Sequence, residues 1–425
     1  MPRALMVRVE LFDALDAASL AVGSATGESQ SQLQTLAQNY FDANYHVDSV
    51  YGTPAPVAVT FGNGSVTLSS SVNMPTTLLN VVGITNVPVN GSSTVVWGQA
   101  KLWVSLVLDN TGSMLETDST KTSKIDALKS AAHQLLTILQ NASANAGDIK
   151  VSIVPFNRDV NVGASNYQAS WLDWTDWDTA NTTTSYTACN GGSSGNGRYT
   201  WYSGGSGSGS DGSYNYGSSQ YSNRNNCTKT TTTASHSTWN GCVADRTQDY
   251  DTQNTTPTAG DTATLFPTDQ YDSCPTQIQP LTDDWTTLGS TIDAMYAMGN
   301  TNQTIGLAWG WQTLTDGDPM NAGALPSGTT RVIILLSDGL NTQNRWTTSQ
   351  SQIDARERLV CDNAKAAGVV IYTVFVDLNG TSGNSAAMQN CASDSSKYFD
   401  LTTSNAITST FISIGEGITS LHLSK

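Results

Sequence analysis

Four nearly unbroken apolar runs constrain this chain most: LWVSLVL at 102–108, VSIVPF at 151–156, VIILL at 332–336 and VVIYTVFV at 369–376. A run without a polar face has nothing to turn to water. It reads as a strand covered on both sides, the pattern of a parallel sheet. Helical patterns separate the runs. Ile125, Leu128, Leu135 and Leu139 form one stripe, and Trp285, Leu288, Ile292 and Met295 another. Further helices are predicted near 304–314 and over about 351–367, the second closed by Gly368 at a C-cap position. The strand KYFDL follows, and then a last helix with Ile407, Phe411, Ile414, Ile418 and Leu421 at helical spacing. Alternating strands and helices predict an α/β domain over residues 101–425, with a mostly parallel sheet flanked by helices.

The first hundred residues differ. LFDALDAASLAV and SQLQTLAQNYFDA make 1–45 an N-terminal helical segment. VDSVYG, VAVTFG, SVTLSSSV and STVVWG, divided by Gly, Pro and Asn, make 46–100 a small β-rich module. Together they form a small α+β region. A second break is the long insertion at about 157–280. Its middle, 178–238, is mostly Thr, Ser, Gly, Asn and Tyr, a composition that buries too little apolar area to offset ordering entropy. It is expected to be a surface excursion of partial order, stapled by Cys189 and Cys227. The three evenly spaced tryptophans of WLDWTDWD (171–178) are expected to form the insertion's own small core, with an exposed binding patch as the alternative.

Charge and cysteine usage narrow the function. The net charge of -16 argues against nucleic-acid binding, which needs a basic face. No stretch approaches the ~18 consecutive apolar residues of a spanning helix. The six cysteines include no C-x-x-C pair, so disulfides fit better than zinc or a redox dithiol. Even cysteines and only 13% charged residues suggest an extracytoplasmic protein.

The sharpest chemical signal is LVLDNTGSM, 106–114. A buried-type strand ends in Asp109, and Thr111 and Ser113 follow at alternate positions. In a parallel sheet, ligands sit at the carboxyl ends of strands. Asp338 ends VIILLSD in the same way, and Thr301 in GNTNQTIGLAWGW precedes a helix. One carboxylate and two hydroxyls facing one point are hard oxygen ligands suited to Mg²⁺ or Ca²⁺.

These residues resemble the von Willebrand factor A domain, whose metal-ion-dependent adhesion site has D-x-S-x-S in a first loop, Thr in a second and Asp in a third. Here Asp109, Thr111 and Ser113 match the first loop, Thr301 the second and Asp338 the third, with Thr111 replacing a Ser. The resemblance implies a von Willebrand factor A-type, Rossmann-like fold and one divalent cation, Mg²⁺ first, with Mn²⁺ or Ca²⁺ as alternatives. The hydroxyls would be direct ligands, the Asp residues would often act through water, and a partner's Asp or Glu carboxylate would take the open position. It implies adhesion or assembly, not turnover. ALDAASLA (14–21), WNGCVADR (239–246), CPTQIQPLTDDW (274–285), GLAWGWQTL (306–314), CDNAKAAGVVIYTV (361–374) and the terminal ITSLHLSK resemble TadG-like proteins of the tight-adherence (Flp) pilus system. That resemblance implies a pilus component as partner and a place in the cell envelope, on the periplasmic or cell-surface side. Membrane association is expected through an anchor upstream of MPRALMVRVELFD. Cys361–Cys391 and Cys242–Cys274 are the expected disulfides among the fifteen pairings six cysteines allow.

Two other readings stand beside this one. The first is a metal-free scaffold of the pilus machinery. The second is a phosphotransferase of the haloacid-dehalogenase type, with Asp109 as nucleophile and SDGLNT (337–342) as the acidic Mg²⁺ motif. The second lacks a Lys anywhere in 282–337 and has Thr342 where an acid is needed. His46, His133, His236 and His422 are scattered, and none belongs to a hydrolase triad.

Overall fold

The computed structural model describes residues 2–25, 29–62, 65–76, 83, 85–96, 101–118, 121–187, 201–204, 228–378 and 385–420. The chain divides into two compact units, 1–100 with 418–425, and 101–417.

In the first unit, helices α1 (Pro2–Ser24) and α2 (Gln30–Asn44) pack on an antiparallel sheet of β1 (Ala58–Gly62), β2 (Ser65–Pro75) and β3 (Asn86–Val96), in the order β1-β2-β3. α1 buries Val7, Leu11, Ala14, Leu15, Ala18 and Val22, a stripe at helical spacing. β2 alternates half-exposed with buried residues, because only one face of its sheet is covered. Gly91 lacks the side chain that would strike Leu15 and Leu11, which lets α1 lie close on β3. The helical segment and the β-rich module therefore share one core, with Phe41 of α2 and Val66 and Leu68 of β2 in the same cluster. The structure differs from the sequence reading at VDSVYG. Ser49–Tyr51 is a single 3₁₀ turn, capped by the Asp48 carboxylate, and not a strand. Helix α1 begins at Pro2.

The second unit is built on one large sheet. Its parallel strands are β4 (Leu102–Asp109), β5 (Ile149–Phe156), β14 (Thr330–Ser337), β15 (Val369–Val376) and β16 (Tyr398–Leu401), in the spatial order β5-β4-β14-β15-β16. Helices α3 (Lys124–Ala142), α5 (Trp285–Ala294), α6 (Gln303–Gln312), α7 (Gln350–Ala366), α8 (Ala386–Cys391) and α9 (Ser404–Ser420) fill the crossovers and the end. Every residue of β4 is buried. Strand β13 (Gln279–Thr282) joins β5 antiparallel at the edge. With β13 counted third among the six strands, the order is 3-2-1-4-5-6, that of a doubly wound sheet. Chain progression reverses between β4 and β14, the switch point at which a sheet of this order offers a crevice at the strands' carboxyl ends. Helix α6 sits close over this part of the sheet because Gly306 and Gly310 face Phe156 and Val107, where a Cβ would come within 2.5–2.8 Å of a neighbour.

Within the insertion are β6 (Val160–Asn161), β7 (Leu172–Asp173), α4 (Thr175–Ala180), β8 (Thr182–Thr187), β9 (Trp201–Gly204), β10 (Thr228–Thr233), β11 (Cys242–Val243) and β12 (Phe266–Pro267). β6 and β11 extend the large sheet beyond β5. One expectation needs correcting. The tryptophans form neither a separate core nor an exposed patch. Trp171 and Trp177 belong to the unit's main core with Trp309 and Phe266, and Trp171 packs edge-on against both. The described parts of the low-complexity middle include three strands, where the composition pointed to no regular element, and the rest of it lies outside the described residues. β8, β9 and β10 pair antiparallel in the order β10-β8-β9, supported by threonines, whose β-branching suits strands. Cys189 and Cys227 lie outside the described residues. The other two expected disulfides are present. Cys242–Cys274 ties two parts of the insertion, and Cys361–Cys391 ties α7 to α8. Each closes a loop of about 30 residues, contributing about 3.6 kcal/mol in the chain-entropy picture.

Candidate functional site

The five residues singled out from sequence come to the crevice between β4 and β14. Asp109 is the last residue of β4 and is fully buried. One of its oxygens, Oδ1, accepts the Thr111 amide at 2.7 Å, and Oδ2 accepts the Ser337 hydroxyl. The turn Thr111–Gly112–Ser113 then brings the Thr111 and Ser113 hydroxyls to 3.0 Å of each other. Ser113 donates to Asp338 Oδ1 at 2.7 Å, joining the loop after β4 to the loop after β14.

The second loop is stitched to the first through backbone. The Gly112 amide donates to the Gly299 carbonyl at 3.1 Å and the Met298 amide to the Asn110 carbonyl at 2.7 Å. Thr301 follows, just ahead of α6, whose N-cap is Asn302. Its amide donates to the Thr342 hydroxyl oxygen at 2.8 Å and its carbonyl accepts the Thr342 amide, which binds it to the third loop as well. Gly339 marks where the loops converge. A Cβ there would lie 3.8 Å from Ser113 Oγ and 3.9 Å from Thr301 Oγ1. Glycine keeps that space clear of any side chain.

Four further residues belong to the site. Ser337 is bound to Asp109 as described. Gln303 donates to Ser337 Oγ at 3.0 Å and to the Gly339 carbonyl at 2.8 Å, bracing the third loop from α6. Asn341 accepts the Gln303 amide through Oδ1 and donates to Glu357 Oε2 at 2.7 Å. Lys124, the first residue of α3, places its ammonium 2.7 Å from both Asp338 Oδ2 and Glu116 Oε2. The sequence held one clue to Lys124. Cations are disfavoured at a helix N-terminus, so a buried lysine there needs acidic partners. Nothing in the sequence marked Gln303, whose partners come from a distant segment.

The electrostatics follow from burial. Burial raises the Asp109 carboxyl to about 7, helped by the charge of Asp338 and opposed by the Ser337 and Thr111 hydrogen bonds. Burial also raises Asp338, against the pull of Lys124. For Lys124 itself burial works downward, but Asp338 and Glu116 outweigh it and its pKa is raised. Further from the crevice, burial pushes Glu357 up to about 8, and its Oε1 has no hydrogen-bond partner among the described residues.

Among the described residues there is no group of three or more His, Cys, Asp or Glu side chains able to hold a metal ion. Any cation here would depend on hydroxyl oxygens. The Thr111 and Ser113 hydroxyls and the Asp338 carboxylate are gathered by hydrogen bonds of 3.0 and 2.7 Å, and hydroxyl oxygens are hard donors of the kind Mg²⁺ accepts.

No family model and no curated protein matches the chain. Among solved structures it is similar to the pilus adhesin SpaC from Lactobacillus rhamnosus GG, with 12% identity over 85% of this chain and 34% of that one, TM-score 0.38. It is also similar to the vWF domain of the type V pili tip protein Mfa5 from Porphyromonas gingivalis, with 10% identity over 77% and 97% of the two chains, TM-score 0.40. A third is proximal thread matrix protein 1 from the mussel byssus, in a form with a zinc-occupied MIDAS motif, with 12% identity over 76% and 47%, TM-score 0.35. The chain spans about a third of the length of SpaC. These likenesses are loose, and the fold assignment rests on the strand order. Among the described residues no helix is long and apolar enough to cross a membrane.

Proposed function

We propose that residues 101–417 are a von Willebrand factor A-type adhesion module. Thr111, Ser113 and Thr301 would supply hydroxyl ligands for one divalent cation, Mg²⁺ or Mn²⁺, with Asp109 and Asp338 behind them. A cation held there supplies an electrophilic centre with an open position for a partner's Asp or Glu carboxylate. The observation that carries this reading is the meeting of the Thr111 and Ser113 hydroxyls with Asp338 at the switch point of the sheet. The 3-2-1-4-5-6 strand order supports it.

The role is binding and not turnover. A phosphotransferase would need Asp109 free to attack, and here Asp109 is fully buried with both oxygens engaged. The resemblance to TadG-like proteins favours a pilus component as partner and a place in the cell envelope. One observation favours the metal-free scaffold as the second reading: Lys124 already gives Asp338 a cationic partner from within the chain.

Calorimetric titration of Mg²⁺ and Mn²⁺ into the full chain tests the proposal, beside an Asp109→Ala, Asp338→Ala double variant whose folding is checked by circular dichroism. One saturable site, lost in the variant, is the expected result. Absence of binding to the wild type would hand the case to the scaffold.

A further inference from the structure

Lys124 is the feature of the site that its oxygen ligands do not explain. Its side chain is 5% exposed and that of Asp338 is fully buried, while Glu116 stands at the rim, 59% exposed. Both oxygens of Asp338 are taken, Oδ1 by Ser113 and Oδ2 by Lys124. The lysine also opens helix α3, where the helix dipole favours acids, as Asp126 in the same turn illustrates. Placing an ammonium there is unfavourable unless the neighbouring carboxylates require it.

The enclosed charges can be counted. With both carboxyls ionised, Asp109 and Asp338 bring two negative charges and Lys124 one positive, a net of one negative charge for the buried set. A divalent cation would turn that set net positive, and an incoming carboxylate would bring it to neutrality. Without the lysine, the same cation would only neutralise the two aspartates, leaving no net attraction for a further anion.

We propose that Lys124 is a fixed counter-cation of the site, which weakens its hold on a divalent cation and in exchange makes the loaded site select an anionic partner group. This rests on the metal-binding reading above and names what sets its selectivity. Lys124 is a positioning and charge-setting residue here, holding Asp338 Oδ2 while Ser113 donates to Oδ1.

The test is Mn²⁺ titration by calorimetry on the full chain, wild type against Lys124→Gln, with and without acetate as the carboxylate probe. Lys124→Gln should bind Mn²⁺ at least ~10-fold more tightly than wild type, because a repelling charge is gone. Acetate should strengthen Mn²⁺ binding several-fold in the wild type and leave Lys124→Gln unchanged. Thermal melting without metal checks that the variant is folded. If it is not, Glu116→Gln at the exposed rim serves instead. It leaves Lys124 less compensated and should weaken Mn²⁺ binding a few-fold and strengthen the acetate effect. Equal or weaker Mn²⁺ affinity in Lys124→Gln, or an acetate effect that persists in it, overturns the role of Lys124 while leaving the metal site standing. No Mn²⁺ binding by either protein overturns the metal site and this role together.

Discussion

Strands β2 and β4 occupy the middle of their respective sheets, yet they are buried in different ways. β2 lies in an antiparallel sheet covered on one face, and its residues alternate between half-exposed and buried. β4 lies in a parallel sheet with helices on both faces, and all eight of its residues are buried. The difference decides where chemistry can sit. A one-faced sheet puts its polar residues in water along the strand. A two-faced sheet has no such outlet, and its polar groups gather where the strands end. Asp109 and Asp338 are such ends, and the fold brings them together because the winding reverses between their strands.

Truncation along the two strands gives the largest effects. Leu106→Ala in β4 should cost about 3–5 kcal/mol and its neighbour Val107→Ala, on the opposite face, about 2 kcal/mol, both read from urea denaturation. In β2, Leu68→Ala should also be costly, but Thr67→Ala should cost only a few tenths of a kcal/mol. Thr67 is half-exposed and loses a single cross-strand contact, to the Thr94 hydroxyl at 2.9 Å. Comparable losses at Thr67 and Val107 would break the contrast between the sheets.

A second prediction sharpens it through pH. In the first unit Asp13, Asp16 and Asp42 are exposed on the helices. In the second, Glu357 is enclosed between α7 and the loop after β14, with its carboxyl raised from 4.5 to about 8, chiefly by burial. The folded state therefore holds a proton there that the unfolded chain releases, and Asp354 nearby reinforces this. The stabilisation is fully present below about pH 4.5 and is lost as pH rises through about 8. Glu357→Gln should raise the stability of the second unit at pH 8.5 by on the order of a few kcal/mol, and change it little at pH 4. Melting curves at the two pH values check this, and a gain of equal size at both would refute the burial argument.

Much of this organisation was legible in the sequence, for the same reason that the strands differ. The unbroken runs at 102–108, 151–156, 332–336 and 369–376 are strands, the ends of two of them pointed to Asp109, Thr111, Ser113 and Asp338, and Thr301 was read from the helix it precedes. What sequence could not supply was long-range. Lys124 gains its meaning only beside Asp338, and Gln303 only beside Ser337. The tryptophans at 171 and 177 looked like a local cluster because their partners, Phe266 and Trp309, are far along the chain. Composition gave only partial order for the insertion's middle and could not locate β8 and β10, where threonine-rich segments form strands through backbone pairing without needing a large apolar face. VDSVYG misled in the opposite direction. Its β-branched residues suggested a strand, but the Asp48 side chain captures the Val50 amide at 3.0 Å and folds the segment into a turn.

The central claim is that the hydroxyls of Thr111, Ser113 and Thr301 surround a divalent cation. It is tested most directly by a crystal structure of the full chain grown with Mn²⁺, using the anomalous signal of the metal. The account predicts one strong peak about 2 Å from Ser113 Oγ, beside the Thr111 and Thr301 hydroxyls and in front of Gly339. A map with no peak there, and with Ser113 still donating to Asp338, would contradict it.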